Sequence, residues 1–181
     1  NSHVAAIVPI SSRTHFVDPE VGAQGLTLTT HGLMQATVSR SANGRSFLFG
    51  NTDGSLMQLR VDQLRMPEIL WHSAPIEKAA FVDDGRKLVA SDFNSDTKQS
   101  ELRIWDLATG RFESFPQASE QPVNCLAADP IGQRLATGGF GPEVRIWSLT
   151  SREISSRIPV GESGVLTLEF CPSSGQLVIV P

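Results

Sequence analysis

The sequence lacks three features that would each define a class of protein. It has no run of 18 apolar residues, so we expect no membrane-spanning helix. Its 19 acidic side chains outnumber the 15 basic ones, and the net charge of −4 disfavours non-specific binding to nucleic acid. It has two cysteines, Cys125 and Cys171, which are too few for a disulfide framework. That scarcity favours a reducing, cytoplasmic location, and we expect both thiols to be buried and inert near the first strands.

Signatures of catalysis and of metal binding are also missing. There is no Gly-x-Ser-x-Gly elbow and no His-Glu-x-x-His helix, and the two cysteines lie 46 positions apart. Residues 92–96 have the alternating oxygen ligands of a calcium loop. However, Thr97 stands where that loop needs glycine, and Arg103 where it needs glutamate. We therefore expect no enzyme activity, no cofactor and no metal, and we interpret residues 92–96 as a solvated hairpin tip.

What the sequence does have is a repeat of 41 to 47 residues. One marker is a turn glycine, found at Gly44, Gly85, Gly132 and Gly175. A second marker is the apolar centre of a later run, found at Val17, Leu59, Trp105 and Trp147, with separations of 42, 46 and 42. Five additional residues within 92–100 explain the longest spacing, and their polar character predicts a loop.

Each repeat contains four short apolar runs separated by turn residues, which predicts four antiparallel strands. In the first complete repeat the strands are expected near 34–40, 46–50, 55–61 and 68–72. In the third they are expected near 123–128, 134–138, 144–149 and 153–158. Four strands per period of this length are typical of a β-propeller blade. The sequence thus predicts an all-β propeller segment over residues 1–181. Its parts are a partial blade (1–33), three blades (34–75, 76–121 and 122–160) and a partial blade (161–181).

Two segments resemble the WD-repeat β-propeller family. They are Leu-Arg-Ile-Trp-Asp at 102–106 and Val-Arg-Ile-Trp-Ser at 144–148, and only the first has the literal Trp-Asp dipeptide. The resemblance implies that Trp105 and Trp147 lie on the third strand of their blades and wedge between neighbouring sheets. It also implies that such proteins act as interaction modules.

Three further residues match positions of this family. The resemblance implies that His31 and His72 are loop-closing hydrogen-bond groups and that Asp53 is a tight-turn aspartate. Asp53-Gly54 is also a favourable two-residue hairpin in its own right. No blade carries the full His–Asp–Trp set, so we do not expect the buried hydrogen-bond relay of that family here.

Large apolar residues in loops suggest a binding surface. In a propeller, the connections from fourth to first strand and from second to third strand share one face. That face would display Met34, Trp71, Phe93 and Phe140. Exposed aromatic side chains are frequent binding hot spots. The alternative, that each packs over its own hairpin, stays open for Phe93 and Phe140 and is favoured for Trp71.

The sequence therefore favours a non-catalytic scaffold that presents one loop face to a protein or peptide partner. We expect neither nucleic acid nor a membrane as partner. The alternative is the regulatory or sensor propeller portion of a larger signalling or processing enzyme. A propeller enzyme with an axial metal or catalytic site is a third, weaker hypothesis.

The repeat register also predicts how many strands the chain holds. Projection back from Val17 puts a turn glycine near Ser2, and projection forward from Gly175 puts the next apolar centre beyond Pro181. We expect 17 strands, belonging to a larger propeller completed by another chain, a second copy or further sequence. The rival hypothesis is a self-closed ring of four blades.

Overall fold

The computed structural model consists almost entirely of antiparallel β-strands. It describes residues 6–10, 13–17, 24–29, 35–41, 44–51, 53–60, 68–71, 75–115, 121–129 and 133–181. Within these ranges the sole helical element is a single 3-10 turn at Asp83–Gly85. The prediction of an all-β fold is confirmed.

The described strands form five sheets, and in each sheet strands that follow one another along the chain are paired. The first sheet contains β1 (Ala6–Ile10), β2 (Arg13–Val17) and β3 (Gln24–Thr29). The second contains β4 (Gln35–Arg40), β5 (Ser46–Asn51), β6 (Ser55–Arg60) and β7 (Glu68–Trp71). The third contains β8 (Ile76–Val82), β9 (Lys87–Asp92), β10 (Leu102–Asp106) and β11 (Arg111–Ser114). The fourth contains β12 (Val123–Ala128), β13 (Arg134–Gly139), β14 (Glu143–Ser148) and β15 (Ile154–Pro159), and the fifth contains β16 (Thr167–Phe170) and β17 (Leu177–Val180).

The grouping of three, four, four, four and two strands agrees with the sequence-based expectation. Strand limits differ by one residue at most in the second and fourth sheets. β14 begins at Glu143, one residue before its expected start, because Glu143 pairs with Pro159 across the sheet.

The core lies between the sheets rather than within any one of them. Trp105 of the third sheet is buried in a cluster with Leu48 and Leu56 of the second. Trp147 of the fourth sheet is buried with Val82 and Val89 of the third. The two tryptophans thus occupy equivalent interfaces one sheet apart, where large aromatic side chains contribute most of their buried area.

The first strands of the sheets are neighbours in space. β4 contacts β8, β8 contacts β12 and β12 contacts β16, so these strands form the inner side of the assembly. Since each sheet stacks on the next about this inner side, the later strands of each sheet point outward. This radial stacking is the arrangement of propeller blades.

Short polar side chains stabilise the turns between strands. Asp53 is exposed, and its Oδ1 accepts hydrogen bonds from Ser55 N at 2.9 Å and Ser55 Oγ at 2.7 Å. Gly54 adopts a φ of 84°, a conformation that favours glycine. Asp53 therefore lies in a tight turn between β5 and β6. His31 and His72, the other residues matched to family positions, lie outside the described residues.

The aspartate of the Trp-Asp pair has a turn role of its own. Asp106 Oδ1 accepts hydrogen bonds from the backbone of Ala108 and Thr109 and from Thr109 Oγ1. In the next sheet, Ser148 occupies the same place after Trp147, and its Oγ accepts a 3.2 Å bond from Ser151 N. Serine thus performs a weaker version of the same turn stabilisation.

Candidate functional site

One edge of the assembly collects the connections predicted to bind a partner. Antiparallel strands alternate in direction, so second-to-third and fourth-to-first connections emerge at the same edge. We call this edge the loop face and define it by the described residues 53–54, 75, 93–101, 121–122, 140–142 and 160–166.

Phe140 is the most prominent aromatic side chain described on the loop face, with 70% of its surface exposed. Its backbone is nevertheless held in place by the next sheet. Val165 N donates a 2.8 Å hydrogen bond to Gly139 O. Gly164, at a φ of 73°, lies directly against this loop, where a Cβ atom would come within 2.6 Å of Gly139 O. A rigid backbone therefore displays an exposed ring.

Phe93 occupies the equivalent position in the preceding sheet. Leu88, the cross-strand partner of Trp105, lies five positions before Phe93. Leu135, the cross-strand partner of Trp147, likewise lies five positions before Phe140. Phe93 is half-buried, unlike Phe140. The two rings therefore belong to adjacent sheets at one edge, and their role as partner contacts stays a prediction.

The other two predicted contact residues are Met34 and Trp71. Met34 lies outside the described residues. Trp71 is the last residue of β7 and pairs with Ser55, which puts its backbone at the loop face, but its side chain is outside the described part.

The additional residues of the third sheet form a small hairpin on the loop face. Asp92 N donates to Glu101 O at 3.1 Å, and Glu101 N donates back to Asp92 Oδ1 at 2.9 Å, which closes the hairpin base. Asn94 pairs with Gln99 further out, and residues 94–99 are exposed. Residues 94–96 agree with the interpretation as a solvated hairpin tip, whereas Asp92 is a buried residue at the end of β9 and Phe93 is half-buried.

A groove of about 270 Å³ lies beside Phe140. Its lining includes Gln121 and Pro122, residues 139, 141 and 142, and the ion-paired side chains of Glu143 and Arg145. Ser100 Oγ donates a 3.2 Å bond to Gln121 O, which joins the base of the hairpin to the groove wall. The groove is therefore bordered by the connection that carries Phe140 and by the segment that bonds to the hairpin.

Sequence reasoning missed Leu166, which is 75% exposed on the loop face. Leu166 directly precedes β16, which begins at Thr167, and Leu166 N donates to Val180 O at 2.9 Å. The sequence did offer a signal for this exposure. Leu166 comes directly before the first strand of a sheet, and this is where a fourth-to-first connection reaches the loop face.

Ion pairs lie just below the exposed loops. Glu143 accepts a 2.7 Å bond from Arg145 Nε and a second bond from Arg157, and the Arg145 bond is the main reason that the pKa of Glu143 is lowered. In the third sheet Arg103 pairs with Glu101 at 2.7 Å. Each arginine lies two residues after a glutamate, so the repeat carries the same pair in both sheets.

The two thiols differ more than the sequence suggested. Cys125 is buried, and burial raises its pKa to about 11. Cys171 is only half-buried, in the turn after β16, which corrects our expectation that both thiols are buried and inert. Hydrogen bonds from Ser173 and Ser174 lower the pKa of Cys171 to about 7.

The described residues contain neither a metal-binding cluster nor a membrane-spanning helix. No three His, Cys, Asp or Glu side chains in the described ranges come together as a group that could hold a metal ion. No helix in the same ranges is long and apolar enough to cross a membrane.

Stacked antiparallel sheets with buried interfaces and a shared loop edge define a β-propeller architecture. The fold is similar to the Cps50 (Swd1) β-propeller domain of Myceliophteria thermophila, with a TM-score of 0.77. That match covers 93% of this chain and 56% of the other at 17% identity, so it concerns the fold alone.

Comparison of sequences gives relatives of the WD-repeat type, although no protein-family model matches the chain. The Periodic tryptophan protein 2 homolog of Neurospora crassa is 32% identical over 98 residues, 54% of this chain and 11% of that protein. SEC12-like protein 1 of Arabidopsis thaliana is 30% identical over 103 residues, 54% of this chain and 25% of that protein. The U3 small nucleolar RNA-associated protein 15 homolog of Gallus gallus is 23% identical over 138 residues, 76% of this chain and 25% of that protein. The matched part of this chain thus spans a quarter or less of these relatives, and the resemblance to WD-repeat β-propeller proteins is confirmed.

Proposed function

We propose that this chain is a non-catalytic protein–protein interaction scaffold that presents the loop face to a protein or peptide partner. The observation that carries the proposal is the exposed ring of Phe140 on a backbone fixed by Val165 and Gly164. A rigid exposed aromatic loses little conformational entropy on binding, and such residues are enriched among binding hot spots.

Three further observations support a protein partner. WD-repeat propeller proteins, the class of the relatives, are typically interaction scaffolds. Phe93 and Leu166 add apolar surface at the same edge. The net charge of −4 favours a protein over nucleic acid or an anionic membrane, and the two free thiols fit a cytoplasmic location.

The test is capture of partners by the immobilised chain from an extract of cells that express it. Proteins retained by the wild-type chain should be lost from Phe140→Ala and reduced with Phe93→Ala. Phe112→Ala is the matched control, because Phe112 is also exposed but lies on the outer strand β11. Thermal unfolding of each variant verifies folding. Unchanged retention by Phe140→Ala, or loss caused only by Arg86→Glu at the opposite edge, would contradict the proposal.

A further inference from the structure

The loop face combines an apolar centre with a groove of defined size. Phe140 and Leu166 are both exposed, and they are joined by the short segment in which Gly164 and Val165 contact residues 139–140. The adjacent groove of about 270 Å³ is lined by glycine, proline and glutamine and also by the ion-paired side chains of Glu143 and Arg145. An apolar side chain of a partner would therefore pack on the exposed ring of Phe140 and on Leu166, with polar groups of the groove beside it.

The exposed charges around this centre are mostly negative. Four carboxylates of the described loop face are exposed, namely those of Asp53, Asp96, Glu101 and Glu162. The exposed cations at this edge of the described chain are Lys98 and, on the adjoining strand, Arg157.

In the third sheet the carboxylate is the more exposed member of the ion pair. The Arg103 side chain is 15% exposed, whereas that of its partner Glu101 is 52% exposed. In the fourth sheet Glu143 is less exposed and is paired with both Arg145 and Arg157. A partner approaching the hairpin of residues 93–101 therefore meets Glu101 before Arg103.

At the opposite edge, exposed arginines outnumber exposed carboxylates among the described residues. Arg40, Arg86 and Arg111 are all exposed there, at the ends of strands or in the turns between them. The two edges of the sheets therefore carry different charge, although the chain as a whole has a net charge of −4. Such a separation orients a charged partner during its approach.

We propose that the loop face binds an extended, basic segment of a protein partner, in which lysines or arginines flank one large apolar residue. The apolar residue packs on Phe140 and Leu166. The flanking cations contact the carboxylates of Glu101, Asp96 and Glu162. This inference rests on the proposed function, since it names the partner chemistry of the same face.

The experiment measures binding of fluorescein-labelled peptides to the 181-residue chain by anisotropy. One peptide carries four Lys or Arg residues around a central Phe. A second has Glu in place of each cation, and a third keeps the cations but has Gly in place of Phe. The first peptide should bind, and its affinity should fall as salt is raised, because exposed charges are screened.

Matched variants test the site. Phe140→Ala should weaken binding of the first peptide about tenfold, as truncation of a hot-spot aromatic does. Glu162→Lys should weaken it about threefold or more by charge reversal. The controls are Val178→Ala, an exposed apolar residue of β17, and Glu153→Lys, an exposed carboxylate of the opposite edge, and both should leave the affinity unchanged.

The outcomes separate this inference from the broader one. Absence of binding, equal binding of the acidic peptide, or equal effects of the site and control variants would overturn the partner chemistry. If proteins from the extract still depend on Phe140 in that case, the scaffold function stands and only the basic, apolar-centred partner is wrong. If neither peptide binding nor the retention of proteins from the extract depends on Phe140, both the scaffold function and the proposed partner chemistry are wrong.

Discussion

The indole nitrogen of Trp147 donates a 2.8 Å hydrogen bond to the hydroxyl of Thr137, and both residues are buried. Thr137 lies two positions beyond Leu135, the cross-strand partner of Trp147. In the preceding sheet Trp105 pairs with Leu88, and the residue two positions further on is Ala90. An alanine methyl accepts no hydrogen bond, so two tryptophans at one repeat position are fixed by different interactions.

Replacement of the acceptor should therefore destabilise the fourth sheet. Thr137→Val keeps the side-chain shape but leaves the buried indole N–H without this acceptor, and we expect a loss of about 1–3 kcal/mol in the free energy of unfolding. Urea unfolding followed by tryptophan fluorescence measures it. Thr167→Val, at an exposed site on β16, is the control and should change stability far less. Equal stability of the two variants would show that the bond contributes nothing.

The backbone support of Phe140 predicts a difference between two glycines of one connection. Both Gly161 and Gly164 have positive φ, at 81° and 73°. A Cβ at Gly161 meets nothing within 4 Å, so Gly161→Ala should lose only about 1–2 kcal/mol from its left-handed conformation. Gly164→Ala must also displace Gly139 O, so thermal denaturation should show a larger loss. A smaller loss for Gly164→Ala would mean that the Val165–Gly139 contact does not hold the loop.

The two thiols should react at different pH values. Cys171, with a pKa of about 7, should be alkylated by iodoacetamide with a rate midpoint near neutral pH. Cys125, buried and with a pKa of about 11, should stay unmodified until the chain unfolds. Mass spectrometry of digested protein follows each site. Ser173→Ala should move the Cys171 midpoint upward, because the largest pKa-lowering hydrogen bond is removed. A midpoint unchanged in that variant would refute this cause.

Acid should weaken the turn after Trp105. Hydrogen bonds from Thr109, first from its backbone and then from its side chain, lower the pKa of Asp106 below its usual 3.8. The stabilising contribution is therefore complete above the unfolded-state pKa and is lost as the pH falls through the lower folded-state pKa. Unfolding curves of Asp106→Asn should consequently depend less on pH below about 4 than those of the wild-type chain. Ser148→Ala, at the equivalent non-titrating position, should shift stability equally at every pH.

Local patterns in the sequence were sufficient to predict the positions of the strands but not which side chains are exposed at the surface. Turn glycines and alternating apolar residues act within a few positions, so the four-strand repeat could be predicted from them directly. The burial of Trp105 and Trp147 was implied by the resemblance to WD-repeat proteins. The exposure of Leu166 depends on where β16 begins pairing with β17, which no local pattern encodes.

The loop face was also predictable from the sequence only in part. Topology alone put Phe93 and Phe140 on one edge, because connections of the same type emerge together. Their unequal exposure arises from neighbouring segments: Phe93 begins the additional hairpin, whereas Phe140 stands beside glycine on both sides. The separation of carboxylates from arginines likewise appears only when the strands are aligned.

The closed base of the hairpin after β9 has a practical consequence. Because Asp92 and Glu101 bond to each other in both directions, the segment between them forms its own small unit. Residues can be added or removed beyond Asn94 and Gln99 without shifting the pairing of β9 with β10. The tip is thus a natural position for grafting an epitope or a spectroscopic label a short distance from Phe93, where it would report contact at this edge while the scaffold stays unchanged.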